Sequence, residues 1–205
     1  MTGTLVYLMD YLTSVKKQFL YYKTLAETAI DQIEEPLLFY QRNEDSNSIA
    51  MIVKHLAGNM LSRWTNVLSS DGEKPWRDRD SEFVNDLDSK AAVMDLWNLG
   101  WSCFFNALDT FSGKDLETII YIRNEGLTVV EAIQRQLAHY PYHIGQMIYI
   151  AKELKQGPWK SLSIARNQSK GYNEGKFAKE KGERSFIDAE LDKFDRDDQD
   201  IGKSA

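Results

Sequence analysis

This sequence is short of several things at once. Among 205 residues there is one cysteine, four prolines and three histidines. A single thiol, Cys103, cannot close an internal disulfide, so a reducing compartment is the simpler expectation. Cys103 lies in the apolar run 101–105, where a buried, inert thiol outweighs a nucleophile. No stretch approaches the roughly 20 consecutive apolar residues of a transmembrane helix. The opening segment has no basic leader and carries Asp10 within its apolar part, so it does not read as a signal peptide, and the expected location is cytoplasmic. Basic charge is also scarce. Lys and Arg number 25 against 31 Asp and Glu, a net charge of −6 that argues against a broad nucleic-acid surface. There is no glycine-rich phosphate loop, no internal repeat and no low-complexity tract. No carboxylate-rich ligand set of the di-iron bundle kind appears either.

What is present suits a folded chain. Hydrophobic residues make up 42% and aromatics 12%, enough for a sizeable core in one domain. Apolar spacing predicts four long helices. The first spans about 4–33, with Leu5, Leu8, Leu12, Val15, Phe19, Tyr22, Leu25 and Ile30 at steps of three to five, and ends at Glu34-Glu35-Pro36. The second spans about 47–68, capped by Ser46 or Asn47, with Ile49, Ile52, Val53, Leu56, Met60 and Trp64 inward. The third spans about 89–112 and is rich in aromatics. The fourth spans about 128–155, opened by a Thr128/Glu131 capping box and closed by Gly157-Pro158.

Between the second and third helices lies a polar connection, 69–88, broken by Gly72 and Pro75. A link of that length can cross from one end of a bundle to the other. The β-branched residues of 118–122 suggest a short extended piece, with a turn at Gly126. Residues 159–174 read as an ordered loop anchored by Trp159 and Leu162. From 175 to 205 the chain is charged and reads as either a mobile tail or a loosely docked helix.

The histidines carry the chemistry. His139 and His143 stand four residues apart, on one face of the fourth helix and about one turn from each other. His55 sits in the middle of the second helix, beside Ile52 and Leu56. A bundle can bring these two helices together so that three imidazoles share one divalent ion. Three neutral nitrogens leave a coordination position open on zinc or nickel, as a catalytic site requires. Water held there would have a lowered pKa and could serve as nucleophile or base. Against this stands the ordinary role of a helical histidine, as a surface or satisfied core residue. Pro141, between the pair, removes a bond to the Leu137 carbonyl and kinks the helix. It either aims the imidazoles or is merely tolerated.

The segments HLAGNMLSRW and HYPYHIGQMIYIAKEL resemble the DinB-like (DinB/YfiT) superfamily of metal-binding four-helix bundles, in a branch that is largely uncharacterised. Similarity also runs along IRNEGLTVVEAIQRQLAHYPYHIGQMIYIAKEL and WKSLSIARNQSKGYN, covering roughly residues 5–174. The resemblance implies an all-α four-helix bundle with a long crossover between helices 2 and 3, a bundle domain at 1–174 and an appended tail at 175–205. It implies that His55, His139 and His143 bind one divalent metal, zinc or nickel first, with manganese or iron as further options. It also implies a homodimer, while charge and hydropathy have already argued against nucleic-acid and membrane partners. Relatives include enzymes that transfer a low-molecular-weight thiol such as bacillithiol to an electrophile, and a thiol-dependent maleylpyruvate isomerase. The function implied is a metal-dependent transferase of that kind, or a hydrolase. The alternative is a non-enzymatic dimeric bundle with a structural or vestigial ion. Pro141 departs from the commoner pattern, in which a small or helix-favouring residue stands between the histidines.

Other polar residues have two readings each. Arg123 and Glu125 either meet an anionic thiol or substrate at the bundle mouth or serve as a local salt bridge or turn residues. Gln146 and Asn59 either orient ligands or are solvated. Arg166 and Lys170 either cover the site or lie on the surface. The aromatic stripe of helix three is read as core, and the DRD and DRDD clusters as solvated charge. No general acid or base is evident.

Overall fold

The computed structural model describes residues 2–201, with side chains from 11 to 194. It is mostly helical, with six α-helices among the described residues and one small two-stranded sheet. The helices are α1 (Thr2–Ile30), α2 (Ile49–Trp64), α3 (Lys90–Thr110), α4 (Val129–Leu154), α5 (Ser169–Phe177) and α6 (Phe186–Ile201). No described helix is long and apolar enough to cross a membrane.

Local chemistry sets the helix starts. The Ser48 hydroxyl accepts from the Met51 amide at 3.2 Å, so the cap of α2 is Ser48 rather than Ser46 or Asn47. Ser89 accepts from the Ala92 amide and opens α3 in the same way. At α4 both halves of the capping box form. The Thr128 amide donates to Glu131 Oε2 at 2.7 Å, and the Glu131 amide donates to Thr128 Oγ1 at 3.2 Å.

The apolar faces of α1 to α4 enclose one core. Leu12, Val15, Phe19, Leu25 and Ile30 of α1 are buried, as are all six predicted inward residues of α2. The Leu5 and Leu8 side chains lie outside the described residues. The aromatics of α3 are core, as expected. The Phe19 and Phe104 rings meet edge to face at 4.5 Å, and Trp64 packs on Phe104 at 4.9 Å. Gly100 lets α3 approach α2 closely, because a Cβ there would stand 2.8 Å from Ala57 Cα.

The predicted extended piece is strand β1 (Ile119–Ile122), paired antiparallel with β2 (Glu125–Thr128). The turn is Arg123-Asn124, not Gly126. Both residues have positive φ (56° and 63°), as the favoured two-residue hairpin requires, while Gly126 pairs with Tyr121 inside the sheet. Asp71 stabilises that turn: its carboxylate accepts from the Arg123 and Asn124 amides at 2.8 and 2.9 Å. Three backbone amides, those of Asn124, Glu73 and Arg123, bring its pKa down to about 2. The Gly72 amide donates to the Tyr121 carbonyl at 2.8 Å, so the connection between α2 and α3 is docked on β1.

Residues 159–174 are not all loop, since α5 begins at Ser169. Trp159 and Leu162 do pack on the core. Helix α6 lies along α1. Lys17 pairs with Asp188 at 2.8 Å, and Tyr21 meets the Phe186 and Phe194 rings at 6.3 and 6.4 Å. The side chains of the DRDD cluster at 195–198 lie outside the described residues.

Candidate metal centre

Helices α2 and α4 lie against each other, and their inward edges carry the three histidines to one point. The candidate ligand atoms of His55, His139 and His143 all lie within 4.8 Å of one another. His55 is 5% exposed, while His139 and His143 are half-buried. Among the described residues these are the only His, Cys, Asp or Glu side chains grouped so as to hold a metal ion.

Each imidazole has its Nδ1 engaged. His55 Nδ1 is 2.9 Å from Glu82 Oε2, His139 Nδ1 is 3.2 Å from Gln136 Oε1, and His143 Nδ1 is 3.0 Å from Gln146 Oε1. Burial alone would raise the Glu82 carboxyl, but hydrogen bonds from His55 and Arg77 outweigh it and keep the group below the usual carboxylate range. Ionised, Glu82 can only accept, so His55 carries its proton on Nδ1 and turns a lone pair on Nε2 inward. Gln136 and Gln146, accepting through Oε1, set the same tautomer on the other two rings. His55 Nε2 then faces His139 Nε2 at 3.3 Å. Two lone pairs at that distance repel each other unless a cation lies between them.

The electrostatics favour neutral rings. Burial first, then the neighbouring His143 and His55, hold the His139 pKa down to about 3. Burial also lowers His143, against the opposing effect of its bond to Gln146. Neutral imidazole is the ligand form.

Behind Glu82 runs a chain of ion pairs that is buried at Arg77 and Arg63 and reaches solvent at Arg123. Arg77 donates from Nε to Glu82 Oε1 at 2.7 Å and from Nη2 to Oε2 at 3.0 Å. Glu73 accepts from Arg63 at 2.9 Å and pairs with Arg123 at 3.1 Å and Arg77 at 3.6 Å. Asn59 touches the same region. Burial pushes the Tyr140 hydroxyl up, so it stays protonated; it accepts from Trp64 Nε1 and donates to Asn59 Oδ1 at 3.2 Å.

Asn59, Arg63, Arg77 and Arg123 line a pocket of about 340 Å³ over the histidines, together with Arg79, Phe83 and Arg135. Of the residues singled out by sequence, Arg123 and Asn59 line it and Gln146 braces His143. Glu125, Arg166, Lys170 and Cys103 do not line it. Arg123 is also a turn residue, as its other reading allowed, and its guanidinium pairs at 3.1 Å with Glu73 of the α2–α3 connection. All three residues of the DRD cluster, Asp78, Arg79 and Asp80, are exposed, as expected of solvated charge, and Arg79 also reaches the pocket. Sequence reasoning missed Glu82, Arg77 and Gln136. For Gln136 a signal existed, because it precedes His139 by three residues, one turn away on the same face.

Fold and site together define a mainly helical protein with three histidines placed so that they can hold a metal ion. Residues 7–168 match the family described as "Protein of unknown function (DUF1572)", and the chain belongs to that family. No curated protein and no solved structure matches it.

Proposed function

We propose that this protein is a metal-dependent enzyme in which Nε2 of His55, His139 and His143 binds one divalent ion. The observation that carries the reading is the 3.3 Å separation of two Nε2 atoms whose rings are held through Nδ1. Two nitrogens each about 2.0–2.1 Å from a tetrahedral ion stand roughly 3.4 Å apart. Three imidazoles suit zinc or nickel ahead of manganese or iron. The reading takes α1 to α4 as a DinB-like four-helix bundle, with 65–89 as its long crossover and all three ligands inside the 1–174 domain. It takes a cytoplasmic homodimer as the working form, as the superfamily resemblance implies.

The reaction proposed is transfer of a low-molecular-weight thiol, bacillithiol-like, to an electrophile. An ion held by His55, His139 and His143 would supply Lewis acidity there. The chain's own residues hold the ligand rings in one tautomer and shape the pocket. No Asp, Glu or Lys lines that pocket, and Glu82 is saturated by His55 and Arg77. A site without its own base suits a nucleophile that ionises near neutral pH, and a free thiol has a pKa of about 8.5. The thiol loses its proton to solvent, sulfur bonds to the electrophilic carbon, and the leaving group departs with the electron pair of its broken bond.

A second reading has a specific observation behind it. His55 is tied through Glu82 and Arg77 to the α2–α3 connection, so an ion could serve only to staple that connection to α2 and α4. The test is to incubate metal-loaded protein with cysteine, glutathione or bacillithiol and monochlorobimane, with conjugate read by mass spectrometry. Conjugation that needs the ion and is lost in His143→Ala supports the enzyme. Folded, metal-loaded protein that conjugates none of these thiols, yet unfolds on chelation, supports the staple.

A further inference from the structure

The pocket over the histidines is strongly cationic in a chain whose net charge is −6. Arg63, Arg77, Arg79, Arg123 and Arg135 line it, and no carboxylate does. The two acids behind its wall are over-subscribed. Glu82 is taken by Arg77 through both oxygens, and Glu73 alone serves Arg63, Arg77 and Arg123. Arg79 has only the Phe83 ring beneath it, at 5.1 Å. The Arg135 side chain has no ion pair or hydrogen bond among the described residues. The five lining guanidinium groups form ion pairs with only two carboxylates among the described residues, Glu73 and Glu82, before any metal ion adds its own charge.

Guanidinium groups crowded on one wall repel one another, and an anion in the concavity offsets that repulsion. Their planar forks match carboxylate and phosphate oxygens, which accept two parallel bonds. A pocket of about 340 Å³ falls in the size range of small-molecule sites. Asn59 adds a neutral donor: its Oδ1 is occupied by Tyr140, which leaves its amide N–H groups for a ligand.

From these contacts we infer that Arg79, Arg123 and Arg135 bind a small oxyanionic molecule, a carboxylate or phosphate carrying two or three negative charges. This extends the proposed function, because that molecule would be the thiol or its acceptor, with its reactive end at the ion and its anionic end on the arginines. The arginines belong to the chain itself, so the anion site is testable apart from the metal.

Inorganic phosphate and succinate are titrated by calorimetry at fixed ionic strength into wild type, Arg79→Gln/Arg135→Gln and Arg166→Gln. Each protein is used both metal-loaded and chelated, with metal content measured alongside. One saturable site per chain is expected, tighter for whichever anion the pocket fits. The double variant should weaken it about tenfold or more, the size of one lost charge-assisted hydrogen bond. Metal content should be unchanged, and Arg166→Gln should match wild type. The inference is overturned if neither anion binds saturably, or if the double variant binds as wild type does. It is also overturned if chelation abolishes binding that the arginine substitutions leave intact, since the ion would then be the anion site. Absence of metal from every protein would instead strike the metal reading, and the chelated titrations would still decide the arginines.

Discussion

Each histidine of the cluster has an oxygen of its own: Glu82 for His55, Gln136 for His139, Gln146 for His143. Partners of this kind fix which nitrogen stays free, and removing one typically costs about 10- to 100-fold in metal affinity. Glu82→Ala is therefore expected to weaken metal binding by about that factor in competition with a chromogenic chelator. Gly58→Ala should act in the same direction without touching a ligand, because a Cβ there would overlap the Glu82 carboxylate. Unchanged affinity in both would mean that His55 needs no such support. The pH dependence follows from His139. Its folded pKa lies near 3 against an ordinary 6.5, so between those values the unfolded chain binds the extra proton. The metal-free protein should hold its full His139 contribution above pH 6.5 and lose stability as pH falls toward about 3. Urea unfolding at pH 7.5 and 5.5 should show the loss, and His139→Gln should lessen it.

Helix spacing made the clustered histidines legible in the sequence, and with them the brace Gln146, but not Glu82. His139 and His143 are four apart and Gln136 and Gln146 three residues outside them, intervals that a helix makes meaningful. Glu82 has no such signal. It lies in a polar connection, and it reaches His55 only because Asp80–Phe83 forms a short 3-10 turn against α2 beside Gly58.

At the scale of elements, the connection between α2 and α3 and the β-hairpin hold each other. Asp71 joins them through the Arg123 and Asn124 amides, and the Gly72–Tyr121 backbone bond lies beside it. Asp71→Ala removes the acceptor for these amides, and because water can replace it at this exposed turn a loss of about 0.5–1.5 kcal/mol in unfolding free energy is expected. Faster hydrogen exchange at the Arg123 and Asn124 amides would localise it, and unchanged exchange there would count against the clasp. The turn was misplaced at Gly126 because glycine is the usual marker of positive φ. Here Arg123 and Asn124 adopt it instead, held by one carboxylate. The capping box of α4, by contrast, was plain in sequence, because both of its bonds are local.

For the whole molecule, four apolar helix faces predicted one core, and the core is where they placed it. The charged tail was harder to read, since few apolar residues mark α6. Its seat on α1 depends on Phe186 and Phe194 meeting Tyr21, and on Lys17 pairing with Asp188. None of these contacts touches the histidines. The site depends instead on the packing of α2 against α4, where two segments 84 residues apart in sequence bring their Nε2 atoms together.

The most direct test of the account is the metal content of purified, tag-free protein by elemental mass spectrometry, beside His143→Ala. About one zinc, nickel or similar ion per folded chain is expected, lost or sharply reduced in the variant. Wild-type protein that stays free of metal after divalent ions are added back would contradict it.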